Sequence, residues 1–500
     1  MRFYSLELAG KTVLDNRGFA CVALLATMMI VPRYLQAGTP AVTGPCTPQI
    51  TVVDLIPKSL SGETEDDAEP NMAVNPANPL QVAASAFTRE PMRRADRAPI
   101  FVSTDGGMTW SLRSIVRSPQ ITCDVTLRFG SSSVLYVSAL RNELQGYANR
   151  ELVICQTADY ATTRLMVEVF NQRMYIDQPY IAAMTVASKD HVFVGDCDFN
   201  YPTGQAAIDR SLDAAHGGFT PVPIEYRPKT IDWSEVRPAI GAGGKVVYAA
   251  FNRVTSLSDD QTPLSSDVVV VRDDGGGVSP LPFSSLEDPE GGYGLRVVKQ
   301  RVFAWNTCLG GDRLGDDLAI AVHPINKNKV YLVWSDWVND RVSLHLKYST
   351  DSGQSWSCNK RDIPDAKNPG LAVTAKGTVG FLYQQVVETP EGNTWMTQLE
   401  RTTDDFKTTP KPLTLATFPS NCPLYKSGCD DILLGDYLHL MSVDKNFYGI
   451  FSSNNLPVLL RFPCGVKFQR RTDFNAKKLL DLQGKKVCPS IDPFFFKVEE

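Results

Sequence analysis

Apolar residues along this chain come in short runs broken by glycine, proline and small polar residues, the pattern of many brief β-strands joined by turns. One pattern recurs along the length. It reads P-x-[ILM]-[AG], then a small-residue turn, then a strand such as Val-x-Val or Val-Tyr-Ala. Copies stand at Pro70-Asn71-Met72-Ala73, Pro179-Tyr180-Ile181-Ala182, Pro238-Ala239-Ile240-Gly241 and Pro369-Gly370-Leu371-Ala372. Three more, beginning at Val125, Leu318 and Leu438, lack the proline. The seven starts are spaced by 55, 54, 59, 80, 51 and 69 residues, about what a four-stranded unit with its loops requires. The strand-like run Gln49–Leu55 precedes the first copy and is a candidate to close a ring of such units.

A second repeat alternates with the first. Ser103-Thr104-Asp105-Gly106-Gly107-Met108-Thr109-Trp110 and Ser349-Thr350-Asp351-Ser352-Gly353-Gln354-Ser355-Trp356 share the form S-x-D-x-G-x-[ST]-W. The chemistry is that of a hairpin turn. The aspartate accepts hydrogen bonds from the turn's own amides, glycine supplies a positive φ, and the tryptophan packs beneath. Weaker copies start at Thr157, Ser211, Arg272 and Thr402.

This pattern resembles the Asp-box, or BNR repeat, of the sialidase-like β-propellers. The resemblance covers most of the chain and implies an all-β propeller of about seven four-stranded blades, with six as the alternative. Each unit then reads strand, turn, strand, loop, strand, Asp-box turn, strand. A propeller also accommodates a chain of 500 residues without a single oversized core, because each blade packs only on its neighbours.

Composition adds bounds. The net charge of -5 is mild and no basic patch stands out, which argues against a nucleic-acid partner. Arg17 precedes a 14-residue apolar run, Gly18 to Val31, followed by small residues at Ala37-Gly38. This reads as a signal peptide over residues 1–38, an uncleaved anchor being the alternative, and the propeller with a C-terminal extension as residues 39–500. Secretion or a periplasmic location follows, with no membrane span after cleavage. Ten cysteines remain in the mature chain, an even number that favours disulfides, with Cys422 and Cys429 the expected short-loop pair. Cys123 and Cys155 are expected not to pair, since they fall towards opposite ends of their strands.

The resemblance implies that ligands bind where the innermost strands begin, and that the Asp-boxes lie on the opposite face. Asp105, Trp110, Asp351 and Trp356 are therefore read as structural. The residues one before each repeat start are Glu69, Asp124, Gln178, Arg237, Asp317, Asn368 and Tyr437. Those two before are Ala68, Cys123, Asp177, Val236, Asp316, Lys367 and Asp436. Six of these fourteen are acidic and two basic, so an electronegative mouth is expected, joined by Asp196, Asp198 and Asp336 at second-strand ends. Glycoside hydrolysis needs paired carboxylates, and Asp177, Asp316 and Asp436 are the catalytic candidates, with Tyr437 as stabiliser or nucleophile. Glu69, Asp124, Asp198, Arg237 and Asp336 are candidates for substrate binding. In sialidases an Arg two before the first-blade proline clamps the sugar carboxylate. Here that position is Ala68, and Arg237, Arg253 and Arg313 are the possible substitutes. The expected activity is thus a carbohydrate-active hydrolase other than an ordinary sialidase, acting as a monomer on a carbohydrate or glycoconjugate. The alternative is a non-catalytic propeller that binds a glycan, a protein or a cation, calcium being the candidate cofactor.

Overall fold

The computed structural model describes residues 48–87, 99–116, 122–142, 150–162, 166–200, 204–228, 231–259, 262–303, 309, 317–421 and 432–500. The apolar N-terminal run, Arg313, Asp316, Cys422 and Cys429 lie outside them. Among the described residues no helix is long and apolar enough to cross a membrane.

The fold is an all-β propeller. Seven four-stranded antiparallel sheets form the blades among the described residues. Their innermost strands are Ala68–Val74 (blade 1), Thr122–Phe129 (blade 2), Ile176–Val186 (blade 3), Ile231–Ile240 (blade 4), Leu318–Val322 (blade 5), Ala366–Val373 (blade 6) and His439–Val443 (blade 7). Each contacts the next, and blade 7 contacts blade 1, which closes the ring. All seven repeat starts fall in or immediately before these strands. Blades 1 to 6 are built from consecutive strands. Blade 7 combines His439–Val443, Asn446–Asn454 and Ile491–Glu499 with Gln49–Asp54 as its outer strand, paired Gln49 to Glu499 through Asp54 to Phe494. The early strand-like run therefore does close the ring. Between the second and third strands of blade 7 the chain forms a small three-stranded sheet, the packed extension expected of the tail.

Alternation along each strand puts apolar side chains on both sheet faces, so the core is distributed between blades. One buried cluster occupies each junction. Leu127, Val137 and Ile100 join blades 1 and 2, for example, and Phe447, Phe494 and Leu382 join blades 6 and 7. A blade buried on both faces cannot be stable alone, which is why closure matters.

The S-x-D-x-G-x-[ST]-W turns connect third to fourth strands, as their sequence predicts. Asp105 Oδ1 accepts the Thr109 amide at 2.9 Å and Oδ2 the Thr109 hydroxyl at 2.6 Å, while Ser103 Oγ accepts the Gly107 amide at 2.8 Å. Asp351 repeats this with Ser355, and Asp404 with Thr408. Gly107 has φ +90° and lies against Phe495, so a Cβ there would come within 2.1 Å of the ring. Trp110 is buried and donates its indole N–H to the Gly107 carbonyl, with Gln469 of the extension accepting its backbone amide. Trp356 makes the same indole bond at 3.1 Å but is only half-buried, less than the sequence leads one to expect.

In blade 4 the fully buried Asp273 takes over the turn. It accepts the amides of Gly275, Gly277 and Phe283 and the Ser279 hydroxyl, at 2.7 to 3.1 Å. Asp273→Ala strands four donors at once and is expected to cost about 3 kcal/mol, read from denaturant unfolding. An unchanged midpoint would refute this account of the turn.

Cys464 is disulfide-bonded, whereas Cys155, Cys358 and Cys488 are free. Cys155 and Cys197 sit inside strands as small apolar residues, and Cys155 is not bridged to Cys123, as their strand positions required.

Candidate functional site

The inner strands line a central cavity of about 230 Å³. Its polar wall includes Arg128, Tyr180, Glu235, Arg237, Asp436, Tyr437 and His439.

The mouth is shaped by a repeated irregularity. In blades 1, 2, 3 and 6 the inner strand bulges where it begins, two residues opposing one on its partner. Within each bulge one non-glycine residue has positive φ: Glu69 (53°), Asp124 (49°), Gln178 (46°) and Asn368 (54°). Such conformations cost about 1–3 kcal/mol each and cluster where function requires them. Pro70, Pro179 and Pro369 lie inside the bulges, where a residue without an N–H leaves no ladder bond unmade.

Blade 4 differs, and the difference corrects the sequence alignment. Its bulge spans Trp233 to Arg237, one residue longer, and Pro238 lies beyond it, paired with Ala249. The residues that re-enter the ladder are Asn71, Thr126, Tyr180, Arg237 and Gly370. Two before each stand Glu69, Asp124, Gln178, Glu235 and Asn368. Glu235 is thus the counterpart of Glu69, and Arg237 the counterpart of Tyr180. The proline match had placed Arg237 in the ring that Glu235 occupies.

Several carboxylates of this ring join neighbouring inner strands. Glu69 accepts the Asp436 amide at 3.3 Å, Glu235 the Leu318 amide at 2.8 Å, and Asp317 the Asn368 amide at 2.8 Å. Asp436 instead receives Gln178 Nε2 at 3.1 Å, from blade 3 to the segment leading into blade 7. Lys367, also buried, donates to the Gly435 carbonyl at 2.8 Å. Gly435 has φ +81°, and a Cβ there would meet Glu69 Cγ at 2.2 Å, so this segment passes close over blade 1 only with glycine.

At the centre, Arg237 pairs with Glu235 at 2.9 Å and lies over the Tyr180 ring at 4.3 Å and the Tyr437 ring at 5.8 Å. Deeper, Arg128 donates Nη2–H to His439 Nε2 at 2.6 Å. Burial, then the nearby Arg128, pulls His439 well below its usual value, so it is the neutral acceptor of that bond. Burial, then Asp124 and Glu69, pushes the Tyr437 phenol up, with Arg237 opposing and Asp436 adding to the rise. The Tyr437 hydroxyl is buried and has no hydrogen-bond partner among the described residues.

The structure therefore brings together Glu69, Asp124, Arg237, Asp436 and Tyr437. Asp177, Asp198 and Asp336 are engaged elsewhere, each with the third or fourth strand of the preceding blade. Asp177 pairs with Arg150 at 2.6 Å, Asp198 with Arg173 at 2.6 Å, and Asp336 accepts the Val302 amide at 2.9 Å. Arg253 faces Glu225 and Asp267 at 3.8 Å. Asp316 and Arg313 lie outside the described residues. Sequence reasoning passed over Glu235, Arg128, Tyr180 and His439 as site residues. Glu235 was hidden by the longer bulge, and the others lie beyond the start of the strand, where only the channel geometry identifies them.

Among the described residues the mouth holds Glu69, Asp124, Glu235, Asp317 and Asp436 against Arg237 and Lys367, a net acidic balance above the deeper cation Arg128.

No protein-family model and no curated protein matches the chain. Solved structures similar to it include an α-L-arabinanase of Penicillium chrysogenum in complex with arabinobiose, at 13% identity and TM-score 0.42, covering 71% of this chain and 98% of that one. A phage phi92 endosialidase matches at 9% identity and TM-score 0.42, covering 90% and 69%. A polysaccharide lyase of family PL25, an ulvan lyase, matches at 10% identity and TM-score 0.44, covering 78% and 92%.

Proposed function

We propose that this propeller is an exported, carbohydrate-active hydrolase whose chemistry is carried at the mouth by Tyr437 with Asp436, Asp124 and Glu69. The observation that carries the reading is the Tyr437 phenol, buried, without a hydrogen-bond partner among the described residues, and beset by three carboxylates. Its proton is held tightly until a neighbouring carboxylate takes it. The phenolate oxygen then becomes a nucleophile or a stabiliser of positive charge at the anomeric carbon, and a second carboxyl protonates the leaving oxygen. Arg237, lying over the ring, would stabilise the phenolate as it forms.

The balance of charge favours a neutral glycan. Arg237 is already neutralised by Glu235, so a sugar carboxylate entering the mouth meets an acidic rim before a free cation. A second reading, a non-catalytic glycan-binding propeller, draws support from Glu69, Glu235 and Asp317, whose carboxylates bridge adjacent strands.

A panel of chromogenic glycosides, neutral and anionic, tests both. Turnover of a neutral glycoside is expected, with Tyr437→Phe and Asp436→Asn each lowering kcat/KM by about 10²–10⁴-fold. Sialoside turnover is expected to be absent. Binding on a glycan array with no turnover of any substrate would favour the non-catalytic reading, and efficient sialoside hydrolysis would overturn the charge argument.

A further inference from the structure

Beneath the acidic mouth the channel holds a cation that no carboxylate answers. Arg128, on the inner strand of blade 2, forms no ion pair among the described residues. The acceptors it meets are neutral. Nη1 donates to Asn71 Oδ1 at 3.0 Å and to the carbonyls of Met72 at 3.2 Å and Leu127 at 2.5 Å, and Nη2 donates to the neutral His439 at 2.6 Å. Of the five N–H donors of a guanidinium, Nε–H and one Nη2–H remain, and the Tyr180 phenol is in reach of the group. The Tyr180 ring lies between two cations, 5.4 Å from Arg128 and 4.3 Å from Arg237. Arg237 has Glu235 beside it, so Arg128 is the unbalanced charge of this layer.

Asn71 supplies a separate observation. It is fully buried, and its Oδ1 serves both Arg128 and the Leu127 amide, but its Nδ2 has no acceptor among the described residues. An enclosed charge without a counter-charge and a buried donor without an acceptor are each costly, and an anion beside Arg128 relieves both. Burial pulls Arg128 below its ordinary value, the Tyr180 phenol opposes this, and Arg237 adds to it, as expected of a cation short of negative charge.

Charge and shape set the class of ligand. One unbalanced cation calls for one negative charge, and Asp124, Glu69 and Asp436 around Tyr437 oppose a higher one. The cavity of about 230 Å³ continues between small aliphatic walls, Ala182, Ala239, Ala321 and Ala372 among them, where little water screens the charge.

We propose that the channel binds a small monovalent anion, a halide or a short carboxylate, on the remaining edge of Arg128 with the Tyr180 hydroxyl donating to it. The ion neutralises the layer where blades 2 and 7 meet through Arg128 and His439. The site is separate from the Tyr437 chemistry and requires no turnover.

Thermal melts in sodium chloride or sodium acetate, at an ionic strength held constant with the bulky HEPES anion, test this beside bromide-soaked crystals read by anomalous scattering. A melting temperature raised by about 3 °C at saturation is expected, with one bromide peak beside Arg128. Arg128→Gln should abolish the rise, and Tyr180→Phe should weaken the apparent affinity about tenfold. A larger rise with acetate than with chloride assigns the carboxylate, and the reverse assigns the halide. Should Arg128→Gln fail to fold, the bromide map of the unaltered protein decides. Melts indifferent to both anions with no bromide peak in the channel would overturn the proposal, as would a chloride-dependent rise that survives in Arg128→Gln.

Discussion

A chain that begins at Leu55, without the strand Gln49–Asp54, is expected to yield no soluble folded propeller. Val52 and Val53 are buried in that strand, and its backbone forms the outer ladder of blade 7 against Phe494, Phe495 and Phe496. Burial of the two valines is worth about 1.5–3 kcal/mol each and the ladder bonds about 0.5–1.5 kcal/mol each. The loss approaches the roughly 5–15 kcal/mol that holds a domain folded. It also exposes the edge of a strand containing three consecutive phenylalanines, a template for aggregation. The control is a relocation. Gln49 pairs with Glu499, so Gln49–Asp54 appended after Glu500 through an Asn-Gly turn would form the hairpin that blades 1 to 6 already have. Soluble, cooperatively melting protein from the relocated chain and not from the truncated one is the expected result. A truncated chain that folds would show that the ring closes without the strand.

The second large effect concerns Arg173. Its guanidinium, buried on the outer strand of blade 2, meets Asp196 at 3.0 Å, Asp198 at 2.6 Å, and Asp209. Arg173→Met leaves three buried carboxylates facing each other, and about 3–5 kcal/mol of destabilisation is expected near neutral pH. The pH dependence has a definite sign. Burial raises Asp196 and Asp209 above their ordinary 3.8, and Arg173 opposes that rise. Without the arginine both rise further. A carboxyl whose folded pKa exceeds its unfolded one binds protons preferentially in the folded state, so its penalty is relieved as pH falls through the folded pKa towards the ordinary value. The variant should therefore regain stability relative to the parent between about pH 7 and pH 5. Denaturant midpoints at the two pH values decide it. A deficit independent of pH would mean that the three aspartates are not the source.

The same residues show what could be read from the chain. The third-to-fourth turns were legible because their information is local: Ser103, Asp105, Gly107 and Thr109 satisfy one another within seven residues. The inner strands were legible because proline fits only where the ladder is interrupted. That rule misled once, at Pro238, which stands inside the ladder of an edge-like inner strand. Asp177, Asp198 and Asp336 were plausible mouth residues by position. Their partners Arg150, Arg173 and Val302 belong to another blade, and nothing local announces such pairs. The Arg128–His439 contact joins residues 311 apart and becomes visible only once the ring is closed.

The shared composition of blade 7 also bears on how the molecule is made. Blades 1 to 6 are successive hairpins that can form as the chain emerges. The strand Gln49–Asp54 waits for Ile491–Glu499, its pairing partner some 450 residues later (499 less 49). At about 5–20 residues per second that delay is on the order of half a minute to a minute and a half on the ribosome. Throughout it, a strand carrying Val52 and Val53 has no native edge to join, and the final pairing is the most non-local in the molecule. The interval before the last blade is synthesised is thus when the nascent chain depends most on chaperones.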